Sequence, residues 1–366
     1  MLRLGIIGLP NVGKSTFFNA LTKAGAAASN YPFCTVEPNI GVVPVPDDRL
    51  DRLAKAVGQT NAIPATVEFL DIAGLVEGAS KGEGLGNRFL AHIRNVDAIV
   101  HVVRCFEDPD VAHVVGGVDP ERDHDIITSE LALADLAVAE RQREKAAKLA
   151  RSGDKDAQKE EALLCRLIGE LNAGRGARDV VQPDDDSGYL RGLGMLTLKP
   201  ILYAANVDEE DLDNESLPAL EALRRTARAH HEEAEVLPFS AKFEADVVEL
   251  EGEERDEFLA AVGVTEPSLD RLIHACYRLL GLETFLTVGE NEVRAWTVRA
   301  GSTAYEAAGE IHTDFQRGFI RAETIHVEDF IEAGSFKVAR ERGLMRSEGR
   351  DYVVQDGEVL LFRFNV

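Results

Sequence analysis

The sequence has few cysteines and no long apolar run. Its four cysteines, Cys34, Cys105, Cys165 and Cys276, lie far apart and lack metal-ligand spacing, which argues against a disulfide framework or a cysteine zinc site. Reduced thiols are typical of a cytoplasmic protein. The N-terminus has no basic segment followed by a long apolar one. No apolar run reaches the roughly 18 residues of a membrane span, so we expect neither export nor membrane insertion.

Basic residues are also scarce. The 366 residues include 40 Lys and Arg against 64 Asp and Glu, a formal net charge of −24. This balance argues against broad electrostatic binding to nucleic acid or to an anionic membrane, although a local basic patch is compatible with it. Apolar residues make up 45% of the chain, which is typical of a folded protein, and the length predicts two or three domains.

The most informative motif lies near the N-terminus. Residues 8–15 read GLPNVGKS, which fits the phosphate-binding pattern G-x-x-x-x-G-K-[S/T]. A strand-like apolar run precedes the motif and a helix-like run follows it, which is the order that this loop requires. In that geometry the backbone N–H groups around Gly13 bind anionic oxygens, Lys14 reaches the β- and γ-phosphates, and the Ser15 hydroxyl ligates Mg²⁺.

A first nucleotide switch is expected in the loop-forming segment 24–46, which follows this helix and contains several prolines and asparagines. A threonine in such a switch can ligate Mg²⁺ while its backbone bonds the γ-phosphate. Thr35 is the candidate, in preference to Thr22, because of its position in the segment.

A second switch is expected after the strand-like run 65–70, which ends in Asp71 with Gly74 three residues later. In P-loop enzymes such an Asp holds Mg²⁺ through water, and such a glycine N–H contacts the γ-phosphate. Leu75 stands where Ras-like enzymes have the glutamine that orients the attacking water. A catalytic substitute is therefore needed, and His101 is not favoured because a histidine inside a buried strand is more often a core residue.

The middle of the chain predicts two helices. Strong helix formers fill 129–149, a break follows at 152–154, and a second helix is predicted from Lys155 to Asn172. We interpret this segment as an antiparallel helical hairpin inserted into an α/β domain. Its charged surface is either a solvated face or a docking arm.

Two strand ends in the second half predict a base-binding pocket. One strand ends at Asn206 and the next ends before Ser240 and Ala241, at the sheet edge where P-loop G domains bind the base. Guanine-specific members use N-K-x-D, whereas here Val207 replaces the Lys and Glu209 the Asp. The longer Glu cannot form the same bidentate contact with guanine, so we expect adenine instead.

The C-terminal part predicts a small α+β module. Alternating strands over 282–288 and 293–298 flank a turn, a pattern typical of a hairpin, and a helix and further strands follow. Seven basic residues occur over 317–350. This part is therefore either an RNA-facing surface or an ordinary mixed surface.

Five segments together resemble the YchF-type Obg-like ATPases: Gly8–Ser15, Tyr31–Asn39, Asp71–Val76, Asn206–Glu209 and Phe362–Val366. The similarity extends over nearly the whole chain. It implies a P-loop NTPase G domain with an inserted helical coiled coil and a C-terminal TGS domain of β-grasp fold. We assign the G domain to 1–127 and 199–278, the insertion to 128–198 and the TGS domain to 281–364. The resemblance also implies a preference for ATP over GTP, ribosome association and regulatory roles in translation or stress response.

The resemblance assigns roles to single residues. Nucleotide contacts fall on Asn11, Val12, Gly13, Lys14, Ser15, Thr16, Asn206, Val207, Glu209, Ser240 and Ala241. Mg²⁺ is implied at Ser15 and Thr35 and, through water, at Asp71. Asn11 is in addition a candidate K⁺ ligand. The candidate catalytic residues are Lys14 and, by resemblance, His113, whose alternative is an ordinary loop histidine.

The sequence thus predicts a cytoplasmic, Mg²⁺-dependent P-loop ATPase whose partners are ATP, ADP and the ribosome, with RNA contact through the TGS domain and no membrane. Two alternatives stay open. One is a GTPase of the Obg class, and the other is a ribosome-binding scaffold whose nucleotide state controls docking while hydrolysis is incidental.

Overall fold

The computed structural model describes residues 2–28, 39–72, 85–111, 116–182, 184–231, 233–250, 252–264 and 266–365. Its strands are β1 (Arg3–Ile7), β2 (Ile40–Pro44), β3 (Ala62–Ile63), β4 (Thr66–Asp71), β5 (Ala98–Arg104), β6 (Ile201–Asn206), β7 (Glu235–Phe239), β8 (Leu282–Val288), β9 (Val293–Arg299), β10 (Phe319–His326), β11 (Arg346–Glu348) and β12 (Glu358–Phe364).

The helices are α1 (Lys14–Ala28), α2 (Asp48–Val57), α3 (Leu85–Arg94), α4 (Pro120–Ala150), α5 (Lys155–Asn172), α6 (Ser187–Leu193), α7 (Pro218–His230), α8 (Ala241–Val247), α9 (Gly252–Val262), α10 (Ser268–Leu279), α11 (Ala304–Ile311), α12 (Thr313–Arg317), α13 (Val327–Ala333) and α14 (Phe336–Glu341). Short 3-10 helices span Ala177–Asp179, Leu196–Leu198 and Glu209–Asp211. Within the described ranges, none of the helices is both long enough and apolar enough to cross a membrane.

The chain forms two compact units. The described residues of unit 1 lie within 2–24, 39–41 and 68–272, and those of unit 2 within 25–28, 42–67 and 273–365. Unit 2 therefore takes in an N-terminal segment as well as the C-terminal module. The domain boundaries given above from the sequence remain a proposal.

One six-stranded sheet has the order β2-β4-β1-β5-β6-β7. Strand β1 runs parallel to β4 and β5, and the pairs β5–β6 and β6–β7 are also parallel. Every residue of β5 and β6 is buried, as expected for central strands covered on both faces. Because the strands are parallel, their carboxyl ends meet at one sheet edge, where the register pairs Ile6 with Asp71 and Arg104 with Asn206.

The helical insertion has its own apolar core. Helices α4 and α5 pack on each other around leucines and alanines, among them Leu163, Leu164 and Leu167, which are at most 5% exposed. The bounds of α5 agree with the prediction. Helix α4 begins nine residues before the predicted start, because Pro120 occupies its first turn and the Asp119 carboxylate accepts the Arg122 N–H at 3.1 Å. The predicted antiparallel helical pair is thus present.

The sheet of unit 2 has the order β11-β10-β12-β8-β9-β3. Strands β8 and β9 form the predicted antiparallel hairpin, β10 pairs antiparallel with β12, and β12 runs parallel to β8. Helix α11 packs on this sheet with Phe285, Ala308 and Leu360 in the shared core. The unit has the mixed α+β architecture expected of a β-grasp module. Strand β3, from the N-terminal half, adds to its edge by parallel pairing with β9.

Candidate nucleotide-binding site

The phosphate-binding motif occupies the turn between β1 and α1, as the sequence predicts. Asn11 and Gly13 have positive φ values of 63° and 91°, which allow the tight turn that directs successive N–H groups to one side. A side chain at Gly8 would place its Cβ 2.6 Å from the Val102 carbonyl oxygen. Only glycine therefore allows β1 and β5 to approach this closely at the loop.

The residues that follow the turn differ in exposure. Val12 is buried at 1% exposure and anchors the loop in the apolar interior, and Lys14 is buried at 8%. Ser15 and Thr16 are exposed in the first turn of α1. This arrangement leaves the hydroxyls at the helix N-terminus accessible, where the helix dipole and the N–H groups favour an anion.

Lys14 and Asp71 form an ion pair. The Lys14 ammonium donates a hydrogen bond to Asp71 Oδ1, and both side chains are largely buried. Asp71 ends β4, in register with Ile6 of β1. The predicted phosphate ligand and the predicted metal-binding carboxylate therefore lie together at the edge of the sheet.

Asn206 joins the phosphate loop to the predicted base-binding loop. Its Nδ2 donates to the Val12 carbonyl at 2.9 Å, and its Oδ1 accepts the Ala241 N–H at 3.0 Å. Asn206 is 3% exposed. A Cβ added at Gly13 would lie 2.2 Å from Asn206 Nδ2, so the close approach depends on glycine at that position.

The remaining base-site residues lie beside Asn206. The Val207 N–H donates to the Phe239 carbonyl at 2.9 Å, and the Val207 side chain is buried. Ser240 caps α8 by accepting the Phe243 N–H at 3.4 Å. Glu209 is exposed at the start of a 3-10 helix. The structure thus brings the two predicted base-binding segments to the same edge as the phosphate loop.

Asp208, between Val207 and Glu209, was not among the predicted residues. Partial burial, together with the charges of Asp211, Asp108 and Glu210, raises the pKa of its carboxyl. The edge near the base-binding loop therefore carries concentrated negative potential, which disfavours a further anion there. The acidic run 208–211 is visible in the sequence, but its proximity to Asp108 requires the fold.

Arg104 is a second residue that the sequence did not reveal. It ends β5, is 2% exposed, and donates hydrogen bonds to the carbonyls of Phe106, Asp108 and Val111 at 2.9–3.2 Å. Its guanidinium also lies 4.4 Å from the centre of the Phe106 ring. Arg104 therefore fixes the loop 105–111 from inside. The signal in the sequence was a basic residue at the end of a strand that is apolar apart from His101.

Some predicted residues fall outside the described part of the chain. These are Thr35, Gly74, Leu75 and His113. His101 is buried in β5 at 1% exposure, and burial and the nearby His124 lower its pKa to about 3. It is therefore a neutral core histidine, as predicted.

Comparisons with known proteins agree with this geometry. A family model described as a 50S ribosome-binding GTPase matches residues 3–146, and the model YchF-GTPase_C, described as a protein of unknown function, matches 282–365. The chain is 53% identical to the ribosome-binding ATPase YchF of Escherichia coli O157:H7, and the alignment covers 100% of this chain and 99% of that protein. It is 52% identical to the whole of the protein of that name in Bacillus subtilis.

A solved structure agrees over the same length. The Schizosaccharomyces pombe YchF GTPase superposes with a TM-score of 0.89 at 35% identity, covering 99% of this chain and 97% of the yeast chain. Sequence and structure therefore match along the whole molecule and not only in the phosphate loop. The chain belongs to the YchF family of Obg-like ATPases.

Proposed function

We propose that the protein hydrolyses ATP to ADP and phosphate and acts as a ribosome-associated switch. The observation that carries the proposal is Asn206, which ties the phosphate loop to a base-binding loop that has Val207 and Glu209 in place of the guanine-selecting Lys and Asp. The names of the bacterial relatives, ribosome-binding ATPases at over 50% identity, support the same function.

The chain's own groups act by positioning and charge stabilisation. The N–H groups of residues 11–16 and the Lys14 ammonium hold the phosphate oxygens. Water attacks the γ-phosphorus as the bond between that phosphorus and the bridging oxygen breaks, and ADP leaves with that oxygen. Both protons of the water go to the phosphate product, which then loses one of them to solvent. Lys14 neutralises the charge that develops on the transferred group, so it must exchange its bond to Asp71 for the phosphates.

The donor set fits Mg²⁺. The Ser15 hydroxyl, and the Asp71 carboxylate acting through water, supply the oxygen environment that Mg²⁺ prefers, and Thr35 would complete the set. When bound, Mg²⁺ neutralises charge on the β- and γ-phosphates. Asn11, exposed at the tip of the loop, is proposed as a K⁺ ligand.

Adenine selection follows from the base-binding loop. Buried Val207 places no ammonium-bearing stem over the base, and Glu209 is one methylene too long for the bidentate contact of an Asp with guanine. A site that forms hydrogen bonds with one base and leaves polar groups unpaired with another discriminates strongly.

His113 is the proposed water-orienting group, because Leu75 stands where a glutamine would act. A neutral imidazole can accept a proton from water or orient it through a hydrogen bond. Arg104 holds the described residues before His113 in place, since its guanidinium donates a hydrogen bond to the carbonyl of Val111, two positions earlier in sequence.

The cellular setting is proposed from the family. The protein works in the cytoplasm, binds the ribosome in a nucleotide-dependent manner, and contacts RNA through the C-terminal module. Ribosome co-sedimentation with ATP, with ADP and without nucleotide tests this. A His113→Ala variant that cannot hydrolyse ATP yet retains nucleotide-dependent binding would favour the scaffold alternative.

Calorimetric titration tests the base assignment. The parent protein should bind ADP more tightly than GDP. The double variant Val207→Lys with Glu209→Asp should narrow that difference by about tenfold or more, because it restores the guanine contact. Glu210→Asp, an exposed neighbour in the same 3-10 helix, is the matched control and should leave the ratio unchanged. Tighter GDP binding by the parent would overturn the adenine assignment.

A further inference from the structure

Two histidines and an aspartate converge away from the nucleotide site. His124 and Asp125 lie on α4, and His230 is the last residue of α7. Asp125 Oδ1 is 3.1 Å from His124 Nδ1 and 3.8 Å from His230 Nε2, and the three potential ligand atoms lie within 4.8 Å of one another. We propose that this His124-Asp125-His230 cluster binds a divalent transition metal ion of the Zn²⁺ class, a property separate from nucleotide hydrolysis.

The donor types select the class of metal. Two imidazole nitrogens with one carboxylate oxygen suit Zn²⁺, Co²⁺ or Ni²⁺, whereas Mg²⁺ and Ca²⁺ prefer all-oxygen sites. The cluster therefore differs chemically from the hydroxyl and carboxylate ligands beside the phosphate loop, and the two sites would not compete for the same ion.

The spacing is close to what an ion requires. In tetrahedral geometry, bonds of about 2.0–2.2 Å to zinc place two ligand atoms about 3.3–3.6 Å apart. The distances of 3.1 Å and 3.8 Å to Asp125 Oδ1 lie within about 0.2 Å of this range. The two imidazole nitrogens are at most 4.8 Å apart, so the site closes when they approach each other by at most about 1.5 Å.

The side chains differ in freedom in a way that suits metal binding. The His124 side chain is fully buried, whereas those of Asp125 and His230 are 60% and 33% exposed. One ligand is therefore fixed by the core while the other two can adjust, and an ion can enter from solvent. Two ligands on α4 and one on α7 would tie together helices that already pack on each other.

Tyr203 supplies the outer partner that metal-binding histidines usually have. Its hydroxyl lies 3.1 Å from His124 Nε2, inside the protein. The Tyr203 hydroxyl can accept a hydrogen bond from Nε2–H of His124. In that tautomer Nδ1 carries the lone pair that a metal ion beside Asp125 would require.

Isothermal titration of the full-length protein with ZnCl₂, in excess Mg²⁺ and ADP, tests the proposal. We expect one site that His230→Ala weakens by more than about 100-fold, since removal of an outer partner alone costs 10–100-fold. The matched control is His312→Ala, because His312 lies 3.4 Å from the Asp314 carboxylate but, among the described residues, does not belong to a group of three potential metal ligands. The His312→Ala variant should bind Zn²⁺ with the same affinity as the parent protein.

Two further variants keep the test decisive if His230→Ala folds poorly. Asp125→Asn changes a mostly exposed side chain and should also weaken Zn²⁺ binding strongly. Tyr203→Phe should weaken it by about 10–100-fold. Co²⁺ bound to the parent should show visible ligand-field bands without thiolate charge transfer. Equal Zn²⁺ affinity in parent and His230→Ala or Asp125→Asn, or a cobalt spectrum of thiolate type, would overturn the proposal.

Discussion

At the scale of single residues, Asn206 connects several segments of the proposed nucleotide site through its hydrogen bonds. One buried amide satisfies a carbonyl of the phosphate loop and an N–H at the start of α8. Its backbone carbonyl also accepts the Cys105 N–H at 2.8 Å. Asn206 therefore bonds the phosphate loop, the start of α8 and the residue that follows β5. A substitution at Asn206 should affect both the stability of the fold and nucleotide binding.

Asn206→Ala should lower the free energy of unfolding by about 2–4 kcal/mol, because it leaves two buried polar groups without partners. It should also weaken nucleotide binding, since Val12 and Ala241 lose their common anchor. Urea denaturation and calorimetry measure the two effects. Asn214→Ala, which removes an exposed amide bonded to Asp211, is the control and should change stability by less than about 0.5 kcal/mol. A similar loss of unfolding free energy in both variants would contradict the role of the two buried hydrogen bonds of Asn206.

Glu323 gives a pH-dependent prediction within unit 2. Burial opposes its ionisation, but hydrogen bonds from Arg340, Arg363 and Arg321 hold the pKa of Glu323 at about 2. An ordinary Glu has a pKa of about 4.3 in the unfolded chain. The ionised carboxylate therefore stabilises the folded state above about pH 4.3, and this contribution is lost as the pH falls toward about 2.

The stability difference between parent and Glu323→Gln should thus be constant above about pH 5 and shrink steadily below about pH 4.3. Urea midpoints measured between pH 3 and pH 7 check this. Glu328→Gln is the comparison, because Glu328 pairs with Arg52 at an exposed surface and such pairs contribute little. A difference for Glu323→Gln that does not change with pH would contradict the assignment.

At the scale of elements, local patterns predicted those parts that depend on near neighbours in sequence. The phosphate loop, the strand ending in Asp71, the strand ending in Asn206 and the bounds of α5 follow from periodicity and turn residues. Strand β3 could not be predicted, because its two residues pair with β9 across some 230 positions. The His124-Asp125-His230 cluster was missed for the same reason, since two helices far apart in sequence build it.

Asp135 is an element-scale contact that no local pattern reveals. It lies fully buried on α4, and its carboxylate accepts the N–H groups of Leu196 and Thr197 and the Thr197 hydroxyl at 2.7–2.8 Å. Thr197 Oγ1 in turn accepts the Ala177 N–H at 2.8 Å. The Asp135 carboxylate thus bonds the end of the insertion, at Leu196 and Thr197, to helix α4.

Asp135→Asn should lower the free energy of unfolding by about 2–4 kcal/mol, because an amide nitrogen then faces backbone N–H donors inside the protein. Thermal unfolding and hydrogen exchange of the 195–198 amides measure the effect. Asp186→Asn is a closely matched control: Asp186 also accepts two backbone N–H groups, at 2.7 and 3.0 Å, but in an exposed position at the start of α6. Asp186→Asn should lower the free energy of unfolding by about 1 kcal/mol or less. An equal decrease in the two variants would argue against burial as the cause of the Asp135→Asn effect.

At the scale of the whole molecule, the two units differ in the site residues that they contain. The described residues that we propose for nucleotide and metal binding all lie in unit 1: Asn11 to Thr16, Asp71, Asn206, Val207, Glu209, Ser240 and Ala241. A ligand that binds only the folded state stabilises the part that forms its site, by about 2.7 kcal/mol at one hundred times its dissociation constant. Bound nucleotide should therefore protect unit 1 preferentially.

Hydrogen exchange of the full-length protein with and without Mg²⁺-ADP measures this difference. Slowly exchanging amides of β1, β5 and β6 should be protected by up to about 100-fold at that concentration, whereas those of β8, β10 and β12 should change far less, because ligand linkage acts only on openings that destroy the site. Lys14→Ala should remove the protection in unit 1. Equal protection of both sheets would show instead that the two units open as one cooperative body, so that the nucleotide state is transmitted directly to the C-terminal module.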